Sequence, residues 1–200
     1  MRTFEPGVHS FSTYFELGLR HIADFEGYDH MLFLLALVCL YQLYDALKVL
    51  ILVTAFTLGH SLTLFLATVD VIRINEDLVE FLIPVTILIT AVLNIARARQ
   101  RARGSMALHY SLAAFFGLIH GMGFSNYLRM LLSGEGELFV PLLAFNLGIE
   151  VGQIAIVVAI FLLHALAFRL FRFKQADYIL VVSGATAGMA LILAAEAVFW

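Results

Sequence analysis

The chain has a single cysteine, Cys39, among its 200 residues. An intrachain disulfide is therefore excluded, and a cysteine-ligated metal or redox centre is not expected. Cys39 sits in an apolar run and reads as a small packed hydrophobe. Charge is scarce as well: 14% of residues are Asp, Glu, Lys or Arg, against 62% hydrophobic. A soluble domain is only about half apolar. There is no Lys/Arg-rich tract interleaved with aromatics, so nucleic acid is not an expected partner. The N-terminal string MRTFEPGVHSFSTYFELG lacks the short apolar core and small-residue cleavage site of a signal peptide. The first apolar span is then expected to do the targeting. Low-complexity segments and strong internal repeats are missing. So is a G-x-S-x-G string, which argues against serine hydrolase chemistry.

What the chain does have is long apolar runs. A helical span needs about 20 apolar residues, and six segments qualify. They run from about Gly27 to Tyr44, Val49 to Val69, Leu78 to Ala96, Met106 to Leu132, Phe139 to Phe168 and Tyr178 to Trp200. The fourth is interrupted by Gly117, Gly121 and Gly123. The expected class is all-α: a polytopic membrane protein with a six-helix transmembrane domain over residues 27–200. Residues 1–26 form a separate amphipathic segment. Within it Phe11, Phe15, Leu19 and Ile22 recur at helical spacing, which predicts a helix lying on the membrane surface.

Lys48, Arg97, Arg99, Arg101, Arg103, Arg169, Arg172 and Lys174 fall in loops that share one side of a six-span topology. These are eight of the twelve basic residues, so that side is expected to face the cytoplasm. Both termini then face the periplasm. The outer side is acidic, with Glu5, Glu16, Asp24, Glu26, Asp29, Asp70, Glu76, Asp77, Glu80, Glu135 and Glu137. Such a mouth concentrates cations, although ordinary solvated loops would look the same.

Ionisable and amide groups inside apolar spans are costly and tend to line a cavity or pathway. Asp29 and His30 open the first span in GYDHMLFLLAL. The carboxylate can orient the imidazole or ligate beside it. His60 lies in the second span with Thr54, Thr57 and Ser61 on nearly the same face, and His120 lies in the fourth beside Gly117 and Gly121. The fifth span carries Asn146, Glu150 and Gln153 at i, i+4 and i+7, hence on one face. Gly148 and Gly152 form a G-x-x-x-G pair on the opposite face, suited to packing on another helix such as the sixth span at Gly184 and Gly188.

Depth places some of these groups together. From the outer end of its segment Glu150 lies about 20 Å in, His60 about 15 Å and His120 about 14 Å, at 1.5 Å per helical residue. Asp29 and His30 are expected nearer the outer surface, above that layer. Two or three imidazoles with one or two carboxylates suit a divalent transition metal such as nickel, cobalt or zinc. The expected metal-ligating set is Asp29, His30, His60, His120 and Glu150, supported by His21, Ser61, Glu80, Asn146 and Gln153.

At these residues the chain resembles the HupE/UreJ family of bacterial membrane proteins. The matching strings are GYDHMLFLLAL, FTLGHSLTLFLA, VEFLIPVTILITAVLN, FGLIHGMGFS and LAFNLGIEVGQ, from Gly27 to Gln153. The family is associated with nickel-dependent hydrogenases and ureases, and its members are regarded as nickel or cobalt permeases of the bacterial inner membrane. The resemblance implies that Asp29 and His30 match the family's Asp-His motif. It puts His60, His120 and Glu150 in its other polar motifs. The family pattern has a further His five residues before the Asp-His pair, whereas here His21 precedes Asp29 with seven residues between.

The function expected first is therefore an inner-membrane permease for a divalent transition metal, with the ion as substrate, lipid as surroundings, and either a homo-oligomer or other membrane proteins as partners. A transporter is favoured over an enzyme. The alternatives are an intramembrane metal-dependent hydrolase using Ser61 or Ser125, and an accessory subunit whose polar residues only tie helices together.

Overall fold

Six long apolar segments need backbone structures that satisfy their own hydrogen bonds, and the chain answers with helices throughout its described length. The structure is a computed structural model that describes residues 11–24, 27–98, 106–132, 138–171 and 174–198. The helices are α1 (Phe11–Ile22), α2 (Asp29–Val38), α3 (Ala46–Thr68), α4 (Glu76–Arg97), α5 (Met106–Gly123), α6 (Ser125–Leu132), α7 (Phe139–Phe171) and α8 (Gln175–Glu196). A 3-10 turn, Leu43–Asp45, leads into α3. Of the charged residues invoked above, Glu5, Glu26, Arg99, Arg101, Arg103, Glu135, Glu137 and Arg172 lie outside the described residues.

Among the described residues four stretches are long and apolar enough to cross a membrane: Leu43–Thr68, Glu76–Arg97, Phe139–Phe171 and Gln175–Glu196. A fifth crossing results if α5 and α6, bent by 52° at Phe124, are counted as one. The run expected from Gly27 to Tyr44 is instead the ten-residue α2. At 1.5 Å per residue it is about 15 Å long, half the thickness of a bilayer core. Its open end is closed by polar side chains. Asn94 donates to the Ala36 carbonyl at 2.6 Å, and Gln175 donates to the Cys39 carbonyl at 3.4 Å. Both take up carbonyls that the end of a helix leaves without partners.

Glycines set which helices touch. A Cβ on Gly59 would overlap the Ala114 carbonyl of α5, and Cβ atoms on Gly117 and Gly121 would overlap the Phe56 and His60 carbonyls of α3. The residue pairs advance together along both helices, so α3 and α5 run parallel in backbone contact, as small-residue seams permit. The same device joins α1 to α7: Gly18 faces the Phe145 carbonyl, Gly148 faces that of Phe15, and Gly152 faces Ile22. This pair is also parallel. Gly148 and Gly152 therefore pack on α1. They do not pack on the last helix, where Gly184 and Gly188 have no neighbour within 4 Å of an added Cβ. The last helix packs chiefly on α4.

One end of the bundle gathers Tyr41, Gln42, Arg97, His109 and Gln175. Lys48 is there too, holding Asp45 at 2.7 Å. The opposite end carries Asp70, Glu76 and Glu196, with Arg129 paired to Asp70 at 3.1 Å and Asn126 to Glu76 at 3.0 Å. Because α1 runs parallel to the first half of α7, it descends from this acidic end to mid-depth. It is buried against α7 along Tyr14, Gly18 and Ile22, so the helix expected on the membrane surface is packed lengthwise into the bundle. Its apolar stripe matches a neighbouring helix as well as a lipid surface, and the sequence pattern is the same for both.

Candidate metal centre

The end of α1 and the start of α2 meet at mid-depth, beside the middle of α3 and the last turn of α5. His21 closes α1, His30 opens α2, His60 stands in mid-α3 and His120 in the last turn of α5. Their rings form one cluster. Centroids lie 4.7 Å apart for His21 and His30, 5.5 Å for His30 and His120, 6.1 Å for His21 and His60, and 6.4 Å for His30 and His60. His30 is thus level with His60 and His120, not above them as expected. The reason is the shortness of α2, which begins at mid-depth.

Most of the ring nitrogens have nothing to bond to. His21 Nε2, His30 Nε2, both nitrogens of His60 and His120 Nδ1 are buried without a hydrogen-bond partner. Each such atom costs about 1–3 kcal/mol relative to a satisfied one. Two further nitrogens are oriented by neighbours. Asp29 Oδ1 lies 2.9 Å from His30 Nδ1 and accepts the His30 backbone N–H at 2.7 Å. Engaging Nδ1 leaves Nε2 for the cluster, the arrangement in which a carboxylate orients a metal-ligating imidazole. Asp29 also sits in the first turn of α2, where the helix dipole favours negative charge. Thr86 Oγ1 lies 3.1 Å from His120 Nε2 and leaves Nδ1 open. The rings pack edge to face or tilted. Among the described residues no three His, Cys, Asp or Glu side chains already converge as ligands of one ion.

Aromatic rings enclose the cluster. Phe33, Phe56 and Phe116 stand one turn from His30, His60 and His120 respectively, all toward the basic end. Phe33 lies 4.8 Å from Phe56, 6.2 Å from Phe116 and 5.0 Å from His120. Above, Phe124 lies 4.1 Å from His21 and stacks on Phe145 at 5.1 Å. Toward the acidic end a pocket of about 430 Å³ is lined by Asp29, Glu80 and Glu196 among apolar residues and Pro84. Pro84 has no N–H to give to the Glu80 carbonyl one turn back, which frees an oxygen in that wall. Glu80 therefore stands at the pocket, apart from the rings.

The polar face of α7 meets α3. Thr54 donates to Glu150 at 2.6 Å, Thr57 to Gln153 at 2.7 Å and Ser61 to Asn146 at 2.6 Å. Glu150 is partly exposed at the edge of this seam; its Oε1 accepts from Thr54, and its Oε2 is buried without a partner. Glu150→Gln keeps the acceptor for Thr54, so it is expected to leave metal affinity within about twofold, a difference under 1 kcal/mol. Equilibrium dialysis against nickel checks this, and a tenfold loss would return Glu150 to the ligand set. His21, expected only in support, lies within the cluster, against His30 and His60. The phenylalanine layer was not anticipated, although F-x-x-x-H recurs at Phe56–His60 and Phe116–His120.

Residues 2–200 match the model of a protein family described as HupE / UreJ protein. No curated protein and no solved structure matches the chain.

Proposed function

The chain belongs to the HupE/UreJ family, and from that premise we propose that it is a permease carrying a divalent transition metal, nickel or cobalt, across the bacterial inner membrane. One observation carries the reading: imidazoles from four helices meet at mid-depth with five buried nitrogens lacking partners. An accessory subunit would satisfy such atoms internally, because nothing in its role offsets their cost. A hydrolase would need Ser61 or Ser125 at the metal. Ser61 is instead held by Asn146 and the Thr57 carbonyl, and Ser125 by the Met122 carbonyl.

In this reading α1 and α2 are two halves of one broken crossing. With α3, α4, the bent α5–α6 pair, α7 and α8, six crossings result, and both termini face the periplasm. Broken helices are tolerated at membrane depth where they line a site, and transporters use their ends to bind substrate there. The ion enters the acidic pocket, passes Asp29 and reaches His21, His30, His60 and His120. Modest rotation of the rings turns their open nitrogens onto one centre at the roughly 2.0–2.1 Å that imidazole ligation requires. Neutral imidazole favours nickel, cobalt or zinc over magnesium and calcium, which prefer oxygen. Cys39 plays no part, being buried between Asn94 and Ser183.

Uptake by purified protein in liposomes, read by an entrapped metal-sensitive dye, tests the proposal. Metal-independent dye signals, or failure of nickel, cobalt and zinc alike, would refute it. The pocket carboxylates make a separate prediction. Glu80→Gln combined with Glu196→Gln is expected to raise the half-saturating ion concentration about three- to tenfold with the maximal rate unchanged. The deficit should grow in low salt, since exposed charges act over about a 10 Å screening length at 0.1 M. Equal half-saturation in both proteins would remove the pocket from the path.

A further inference from the structure

The histidine cluster is sealed on its basic side by Phe33, Phe56 and Phe116, so an ion held there needs another way inward. We propose that it leaves along one polar face of α4, from His120 past Thr86, Thr90 and Asn94, into an inner chamber gated by Arg97, His109 and Tyr41. This rests on the permease reading above.

Thr86, Thr90, Asn94 and Arg97 follow one another at i, i+4, i+8 and i+11, hence on one face of α4. The first three are buried, with 3%, 9% and 3% of their surface exposed. The stripe starts in contact with the cluster, at the 3.1 Å approach of Thr86 Oγ1 to His120 Nε2. Both threonine hydroxyls point their hydrogens back into the helix. Thr86 donates to the Ile83 carbonyl at 2.7 Å, and Thr90 donates to that of Thr86 at 2.8 Å. A hydroxyl whose proton is engaged this way turns lone pairs outward. The stripe therefore presents oxygen acceptors, suited to a cation.

Below the phenylalanines the stripe opens into a cavity of about 40 Å³, lined in part by Tyr41, Thr90, Asn94, Arg97, His109 and Phe116. That is room for about one water molecule or a bare ion. Its basic end is closed by a hydrogen-bonded chain. Arg97 Nη1 donates to His109 Nε2 at 2.7 Å, and Tyr41 Oη lies 2.7 Å from His109 Nδ1. A guanidinium is always charged, so it repels a divalent cation arriving from within. Arg97 is partly exposed, and swinging it toward the basic end removes plug and charge together. The cluster would then be a holding site open to the acidic pocket, and the α4 stripe the controlled way out.

Two measurements on each variant separate this route from the holding site: nickel affinity of the detergent-solubilised protein, and nickel uptake by proteoliposomes. Thr90→Val keeps the shape of the side chain and removes its oxygen. It is expected to bind nickel as the parent does and to take it up about tenfold more slowly, a barrier change of about 1.4 kcal/mol. Thr90→Ser restores the oxygen and should restore uptake. Arg97→Gln keeps a donor for His109 but removes the charge, and its uptake should rise severalfold with affinity unchanged. Parent-like uptake in both Thr90→Val and Arg97→Gln would overturn the route and leave the permease reading intact. Loss of binding in Thr90→Val would overturn it too, by placing Thr90 in the holding site. A parent protein that neither binds nor transports nickel would instead overturn the permease reading itself.

Discussion

His60→Ala is expected to abolish nickel uptake into proteoliposomes and to remove stabilisation of the protein by the metal. His60 is fully buried, and both of its ring nitrogens lack partners. It stands within 6.4 Å of the His30 ring and 6.1 Å of the His21 ring. No other ring in the cluster leaves both nitrogens open, so either tautomer of His60 can turn its one lone pair to an ion. In the parent, nickel at 100 times its dissociation constant should stabilise the folded state by about 2.7 kcal/mol. The variant should gain none of this. Metal-free stability is expected to change little. Deleting two unsatisfied buried atoms relieves about 1–3 kcal/mol each, while the vacated space costs a comparable amount. Thermal unfolding with and without nickel therefore separates loss of a ligand from loss of the fold. Asp29→Asn should show a graded version, an affinity loss of about 10–100-fold, as expected for a residue that orients a ligand. Parent-like uptake by His60→Ala would sink the assignment of the cluster.

The other large effect is on assembly. Gly121→Leu is expected to prevent recovery of folded protein, because its Cβ alone would overlap the His60 carbonyl and Thr63 Oγ1. Backbone cannot yield as a side-chain tip does. Relief requires α3 and α5 to separate, which also draws His60 away from His120. Overpacking at such a seam costs about 3 kcal/mol or more, at the upper end for single substitutions. Two other glycines, Gly123 at the end of α5 itself and Gly184 on α8, serve as controls. A Cβ on Gly123 meets only Ile83 Cδ1 at 3.2 Å and Val79 Cγ1 at 3.6 Å, and one on Gly184 meets nothing within 4 Å. Gly123→Ala and Gly184→Ala should therefore give monodisperse protein in parent-like yield. Equal yield from Gly121→Leu would show that the α3–α5 seam is looser than its contacts imply.

The polar residues differ in how far sequence alone could place them. His60 and His120 were legible because each lies well inside an apolar run, where helical rise converts residue number to depth. Glu150 passed the same depth criterion, yet its Oε1 accepts from Thr54 at the α3–α7 seam. Depth is one coordinate, and the direction a helix face points is another that a single sequence leaves open. Gly148 and Gly152 show the same gap. Their spacing announced a close helix contact, but the partner is α1, and nothing in a G-x-x-x-G string names the helix that fills it. His21 and His30 were displaced for a related reason. Apolar length suggested one uninterrupted span after a surface helix. The break between α1 and α2 follows from α1 finding a buried place on α7 and from Asn94 and Gln175 capping α2 in the interior.

By itself the sequence determined that this protein is helical and built for a membrane, because apolar content and run length do not depend on how helices are arranged. It also determined the chemistry available at mid-depth: imidazole and carboxylate, without thiolate. Only the tertiary structure decided that the rings of four histidines gather in one cluster, that Asp29 bonds to His30 while Glu150 bonds to Thr54, and that phenylalanines stand on the cluster's inner side. Those outcomes depend on helix rotation and on which backbones approach through glycine, and both are settled by contacts between segments far apart in the chain.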